Sequence, residues 1–146
     1  MIDGYNIVVI VHLFAAIFFI GFVFTDVVVL PVLNKDFDAP TVQKIKETIS
    51  GRARAIFPAT VLILILSGGY MFSKHINSTI GFTGSPLQLL LILKFLIAMV
   101  IVAGIVYSLG CKLFKKQPKP IMKKFHTYVL IMGIIIVVLA KLMFIL

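Results

Sequence analysis

The sequence predicts an all-α integral membrane protein, a four-helix bundle with both termini outside. Three observations predict it. First, 61% of the 146 residues are hydrophobic, against roughly 45–50% apolar in soluble domains. One small water-soluble core cannot hide that excess, because a domain of this length still exposes much of its surface, so lipid must be the solvent for much of the chain. Second, the apolar residues fall in four runs, 7–33, 55–72, 87–109 and 125–146. A helix rises about 1.5 Å per residue and about 20 residues cross the hydrocarbon core, so each run can span. Third, the basic residues are concentrated in two of the three connections. The length suits a single four-span domain, 1–146.

The N-terminal Met-Ile-Asp-Gly-Tyr carries no basic residue, and no small-residue cleavage site follows the first apolar run. That run is therefore expected to be retained as a span, not removed as a signal peptide. The first span holds His12 and Asp26, with Pro31 near its end, where a lost backbone bond costs least. The next connection, 35–54, has five basic residues: Lys35, Lys44, Lys46, Arg52 and Arg54. Within it, Asp38 is placed to cap a helix, Pro40 falls early, and Val42, Ile45 and Ile49 follow at helical spacing. A short amphipathic helix at the membrane interface is expected there. In the second span, 55–72, Pro58 falls in the first turn or so, where proline is tolerated. The connection 73–86 is rich in turn formers and is expected to be irregular, with Lys74 its one basic residue. Its Asn77-Ser78-Thr79 glycosylation pattern is a three-residue match that arises by chance and carries no weight. Pro86 marks the start of the third span, and Pro118 and Pro120 that of the fourth. Between them lie Lys112, Lys115, Lys116, Lys119, Lys123 and Lys124, with no acid.

Orientation follows from these connections. Five and six basic residues on one side against one on the other is a positive-inside pattern. Both termini and the 73–86 connection should face outward and the two basic connections the cytoplasm, as in a bacterial inner membrane. The net charge of +9 then reflects topology and anionic lipid headgroups, and nucleic acid is set aside as a partner. Cys111 stands alone, so no intrachain disulfide can form. Trp is absent, leaving Tyr5, Tyr70, Tyr107 and Tyr128 for an interfacial belt.

Ionisable residues inside spans are functional candidates by default, and His12, Asp26, Lys94 and Lys141 are this chain's set. The topology gathers His12, His75, Lys94 and Lys141 toward the outer face, with Met71 and Met143 in the same zone. Asp26 follows His12 by 14 residues, within about 40° of the same helix face. Ala16, Phe19 and Val23 lie on that stripe, which should point into the bundle. Arg52 or Arg54, at the start of the second span, is the expected cation for a structural ion pair with Asp26. Small residues suited to close helix contact recur in every span: Ala15, Ala16 and Gly21; Ser67, Gly68 and Gly69; Ala98, Ala103 and Gly104; Gly133.

Each polar residue has a functional and a structural reading. His12 can ligate a metal ion or haem iron through a neutral imidazole nitrogen, or simply hydrogen-bond near the interface. His75 can join it, with Met71 or Met143 adding soft sulfur for Cu(I). Otherwise His75 is a loop histidine and the methionines fill gaps. Lys94 and Lys141 can hold a propionate, a lipid phosphate or a quinone oxygen, or else snorkel to the headgroups. His126 reads as an interfacial anchor, too far along the bundle to share one ion with His12. No CxxC, HExxH, GxSxG or phosphate-binding glycine loop is present.

His12 followed by Phe19 and Gly21 resembles the opening His-x6-aromatic-x-Gly helix of the copper-resistance protein D family and of the related HemJ-type protoporphyrinogen oxidase family. Arg54-Ala-Ile-Phe-Pro58-Ala59, continuing to Ser67-Gly68-Gly69, is similar to the second helix of the latter. Ile92-Leu93-Lys94-Phe95-Leu96 resembles the lysine-bearing third helix of both. The chain departs from the HemJ-type pattern at three places. It has Tyr107-Ser108 where a Tyr-His pair is usual, Phe125-His126-Thr127-Tyr128 where an Asn-Glu-x-Pro element is usual, and Phe19 where Trp is usual. These departures argue against porphyrinogen oxidation.

The copper-resistance resemblance implies copper tolerance or uptake at the inner membrane. Copper would be handled near the outer face by His12, with His75, Met71 and Met143 as further ligands and a copper-handling or redox protein as partner. Two alternatives stand beside it. One is a b-type haem or quinone-linked redox protein with His12 as axial ligand and Lys94 near a propionate. The other is a cofactor-free structural or assembly subunit.

Overall fold

The computed structural model describes residues 1–117 and 119–146; Pro118, read above as a boundary, lies outside the described residues. The protein is all-α. Among the described residues, four helical segments are long and apolar enough to cross a membrane: Gly4–Lys35, Ala39–His75, Pro86–Leu113 and Phe125–Leu142. A lipid bilayer is the solvent such surfaces require, and the chain is an integral membrane protein.

Helix α1 runs from Gly4 to Phe24. Asp3 caps it, accepting a hydrogen bond from the Asn6 amide at 3.0 Å. The rest of the first span is not α-helical. A π turn covers Thr25–Val29 and a 3-10 turn covers Leu30–Lys35. The local sequence accounts for the change. Pro31 has no N–H to donate back into the helix, and the β-branched run Thr25, Val27, Val28 and Val29 is stiff. The Thr25 hydroxyl also donates to the Gly21 carbonyl at 2.8 Å, competing with the backbone ladder.

Helix α2, Ala39–His75, is one element of 37 residues, about 55 Å long. Two expectations are corrected here: no separate interfacial helix precedes the second span, and Pro58 lies in the helix interior. The helix begins where the sequence places its cap. Asp38 accepts from the Thr41 amide at 3.4 Å and from the Thr41 hydroxyl at 2.5 Å. That hydroxyl holds the Asp38 carboxyl below its ordinary range. Past Ile49 only Gly51 weakens the helix, and Arg52, Ala53, Arg54 and Ala55 are strong helix formers that carry it into the apolar run. Pro58 then removes one interior hydrogen bond, that to the Arg54 carbonyl. At this length α2 exceeds the roughly 30 Å hydrocarbon core, so its polar first third extends beyond it.

The connection 76–85 is made of turns and bends, as expected, and side-chain hydrogen bonds hold it. Asn77 Oδ1 accepts from the Thr79 and Ile80 amides at 3.0 and 2.9 Å, and the Gly81 amide bonds to the Asn77 carbonyl at 2.9 Å. Gly81 has φ +93°, a conformation that favours glycine. Helix α3, Pro86–Leu113, follows with Ser85 as its cap. A 3-10 turn, Pro120–Lys124, leads into α4, Phe125–Leu142, four residues shorter than the apolar run at its C-terminal end.

The chain divides into two compact units, Met1–Met71 and Phe72–Leu146. In the first, α1 buries Ala15, Phe19 and Val23. Phe19 stacks on Phe57 of α2 at 5.1 Å, and Phe22 meets the same ring at 5.5 Å. The opposite side of α1 faces outward, with Phe14 and Ile17 more than half exposed. In the second unit, α3 buries Ile101 and Ile105, and α4 buries Val129, Gly133 and Leu139. Gly104 meets the Phe125 ring so closely that a Cβ would collide with it. Phe72 and Phe95 pack at 4.6 Å. Because lipid is as apolar as leucine, aromatic packing, small-residue contacts and hydrogen bonds carry helix association here.

Candidate functional site

The polar centre of the first unit is His12. It lies on α1 in a stripe with Ala15, Phe19 and Val23, at spacings of three and four residues. The expected inward face is thus observed, with Ala15 more deeply buried than Ala16. Helix α2 sets Ser67 and Gly68 opposite the imidazole. His12 Nδ1 lies 2.7 Å from Ser67 Oγ, and Ser67 Oγ lies 2.5 Å from the Ile63 carbonyl oxygen and 3.4 Å from that of Leu64.

One assignment of the protons satisfies both distances. Two oxygens 2.5 Å apart need a proton between them, and a carbonyl only accepts. The Ser67 hydroxyl proton therefore lies toward Ile63. The 2.7 Å contact to the ring needs a second proton, which Nδ1 alone can supply. In that assignment Nδ1–H donates to Ser67 Oγ, and in the neutral ring Nε2 carries the lone pair. Gly68 makes room for this arrangement: a Cβ there would fall 3.2 Å from His12 Cε1. A histidine whose one N–H is anchored while its other nitrogen keeps a lone pair has the orientation found in metal-ligating histidines. The same bond also serves as simple satisfaction of a polar group within a span.

The other sequence-predicted residues fall as follows. Met71 belongs to the first unit, one helical turn beyond Ser67 on α2, and is half-buried. His75 and Met143 belong to the second unit. His75 is half-buried and its carbonyl accepts from Gln88 Nε2 at 3.1 Å, while Met143 is buried at the end of α4. Lys94 is half-buried on α3, and Lys141 is exposed on α4. Asp26 is half-buried in the π turn. Arg54 is exposed, with Nε donating to the Ser50 carbonyl at 3.3 Å. Among the described residues, no group of three or more His, Cys, Asp or Glu side chains could hold a metal ion. Met71, one turn beyond Ser67 on α2, is a sulfur donor of the kind that suits Cu(I).

Two residues carry more than the sequence suggested. Ser67, read only as a small packing residue, orients the imidazole. Gln88, not singled out at all, is buried and organises the 76–85 connection. Its Nε2 donates to the His75 and Gly81 carbonyls, both at 3.1 Å, and its Oε1 accepts from the Gly84 amide at 2.7 Å. The signal was present in Ser85-Pro86-Leu87-Gln88, which has the spacing of a capping box. Comparison of the chain with protein-family models, with curated proteins and with solved structures finds no match.

Proposed function

We propose that the protein handles copper at the outer face of a bacterial inner membrane, with His12 as the first ligand through Nε2. One observation carries this reading: the 2.7 Å contact between His12 Nδ1 and Ser67 Oγ, which, with Nδ1 as the donor, holds the ring in the orientation of a histidine that ligates through Nε2. Met71 supplies the second donor, a thioether of the kind that selects Cu(I). The orientation, with both termini and the 73–86 connection outside, rests on the eleven Lys and Arg residues of the 35–54 and 112–124 connections. The sequence resemblance to the copper-resistance D family points the same way, and a copper-handling protein is the partner this reading implies.

The test is Cu(I) retention by the purified protein against a chromophoric chelator, with the visible spectrum recorded in parallel. Wild type retains copper, His12→Ala loses it, and Met71→Leu weakens it. A Soret band that disappears in His12→Ala would move the assignment to b-type haem. Failure of wild type to retain copper, with no Soret band, would leave a structural role for His12. Orientation is checked separately in a Cys111→Ser background. Ser78→Cys should react with an impermeant maleimide from outside, and Lys116→Cys only after permeabilisation.

A further inference from the structure

The end of the first unit away from His12 holds a groove of about 310 Å³ between α1 and α2. Its walls include Phe18, Phe19 and Phe22 of α1 and Ile56 and Phe57 of α2, and Arg52 stands at its polar end. No acidic residue is among the described residues lining it. Arg54 and Arg52, both exposed, are the first basic positions met on leaving the apolar run along α2, and Arg52 is the one that lines the groove, so the groove joins a cation suited to headgroup level to an aromatic cleft suited to the hydrocarbon. Its far end, at Thr60, lies about 12 Å deeper along the helix. Arg52 and Ser67 are separated by about 22 Å on α2, so the groove is independent of the His12 centre.

We infer that this groove is a binding site for an anionic phospholipid, with the phosphodiester on Arg52 and an acyl chain along the four phenylalanines. Three features fit one such molecule. The groove is apolar where a chain would lie and carries one positive charge, Arg52, where a phosphate would lie. Its volume falls at the lower end of the range for ligand sites, suited to part of a lipid rather than a whole one. A guanidinium grips a phosphate through paired N–H donors, which a zwitterionic headgroup partly neutralises with its own cation. A charge at the membrane surface is worth about 1 kcal/mol toward an anionic lipid, equivalent to about a fivefold preference.

The protein has no tryptophan, so one introduced tryptophan reports without background. Phe22→Trp is reconstituted in phosphatidylcholine vesicles with phosphatidylglycerol as the minor component, and the acyl chains of one lipid or the other are brominated. Quenching normalised to lipid content should favour brominated phosphatidylglycerol about fivefold. That preference should vanish when Arg52→Gln is added and persist when Arg54→Gln is added instead. Phe24→Trp, which is exposed on α1 and does not line the groove, should show no preference. Equal quenching by the two lipids at Phe22→Trp overturns the inference, as does a preference that survives Arg52→Gln. An equal preference at Phe24→Trp also overturns it, by showing general surface charge. Should Phe22→Trp misfold by circular dichroism, Phe18→Trp replaces it, since Phe18 lines the groove and is 64% exposed.

Discussion

Replacing Ser67 by alanine tests the proton assignment on which the His12 centre rests. The substitution removes the acceptor 2.7 Å from His12 Nδ1 and, in the same atom, the donor 2.5 Å from the Ile63 carbonyl. The Ile63 carbonyl loses only a supplementary partner, because α2 continues through it and its own helix bond remains. The cost therefore falls on the imidazole. A net hydrogen bond is worth about 0.5–1.5 kcal/mol, and a buried donor left unsatisfied costs about 1–3 kcal/mol. Inter-helix side-chain bonds in membranes average near 0.6 kcal/mol with a maximum of about 1.7. His12 is only half-buried, which places Ser67→Ala at about 1 kcal/mol of destabilisation.

Two assays read different parts of that argument. Unfolding of the detergent-solubilised protein in a titration of denaturing detergent gives the stability change. Nitrogen-15 spectra of labelled histidine give the proton position directly. Wild type should show His12 protonated at Nδ1, and Ser67→Ala should populate the other tautomer. Copper affinity should fall about 10- to 100-fold in the variant, the usual cost of losing a residue that orients a ligand. A wild-type spectrum in which His12 carries its proton on Nε2 alone would refute the reasoning, whatever the stability result.

Three further outcomes follow from other parts of the structure. Gln88→Ala deprives the His75 and Gly81 carbonyls and the Gly84 amide of their shared partner. It should cost about 1–3 kcal/mol and speed limited proteolysis between Asn77 and Ser85, while leaving α3 helical by circular dichroism. Gly104→Ala drives a methyl into the Phe125 ring and should lower thermal stability by about 1–3 kcal/mol, with Phe125→Ala restoring part of the loss if the clash is the cause. At Asp38, the Thr41 hydroxyl lowers the folded-state carboxyl below its unfolded value. Its contribution to the first turn of α2 is thus present above the ordinary carboxylate range and lost as pH falls through the lowered value. Amide exchange at Thr41 and Val42, corrected for intrinsic rate, should rise over that acidic window in wild type and be fast and flat in Asp38→Ala.

The four membrane-spanning segments were legible in the one-dimensional sequence because hydropathy adds residue by residue, and a run of about 20 apolar positions has few alternatives to a helix in lipid. The cap at Asp38, the start of α3 at Pro86 and the inward stripe of α1 were legible for the same kind of reason, since caps, proline and a 3.6-residue period are local rules. Local rules failed where two of them competed. Asp38 began a helix and Pro58 suggested another beginning, yet the intervening residues favour helix, so one 37-residue element formed in place of two. At the end of the first span, stiff side chains and Pro31 redistributed the ladder into π and 3-10 turns, an outcome hydropathy does not encode.

His12 shows the same division at the level of chemistry. Its place in an apolar run marked it as a disfavoured polar group, which needs only the sequence. That its Nδ1 meets the hydroxyl of a serine 55 positions away, and that Gly68 leaves room beside the ring, depended on α1 meeting α2 in one register. A hydrogen bond is a relation between two atoms within about 3 Å, and only tertiary structure brings such distant residues to that distance.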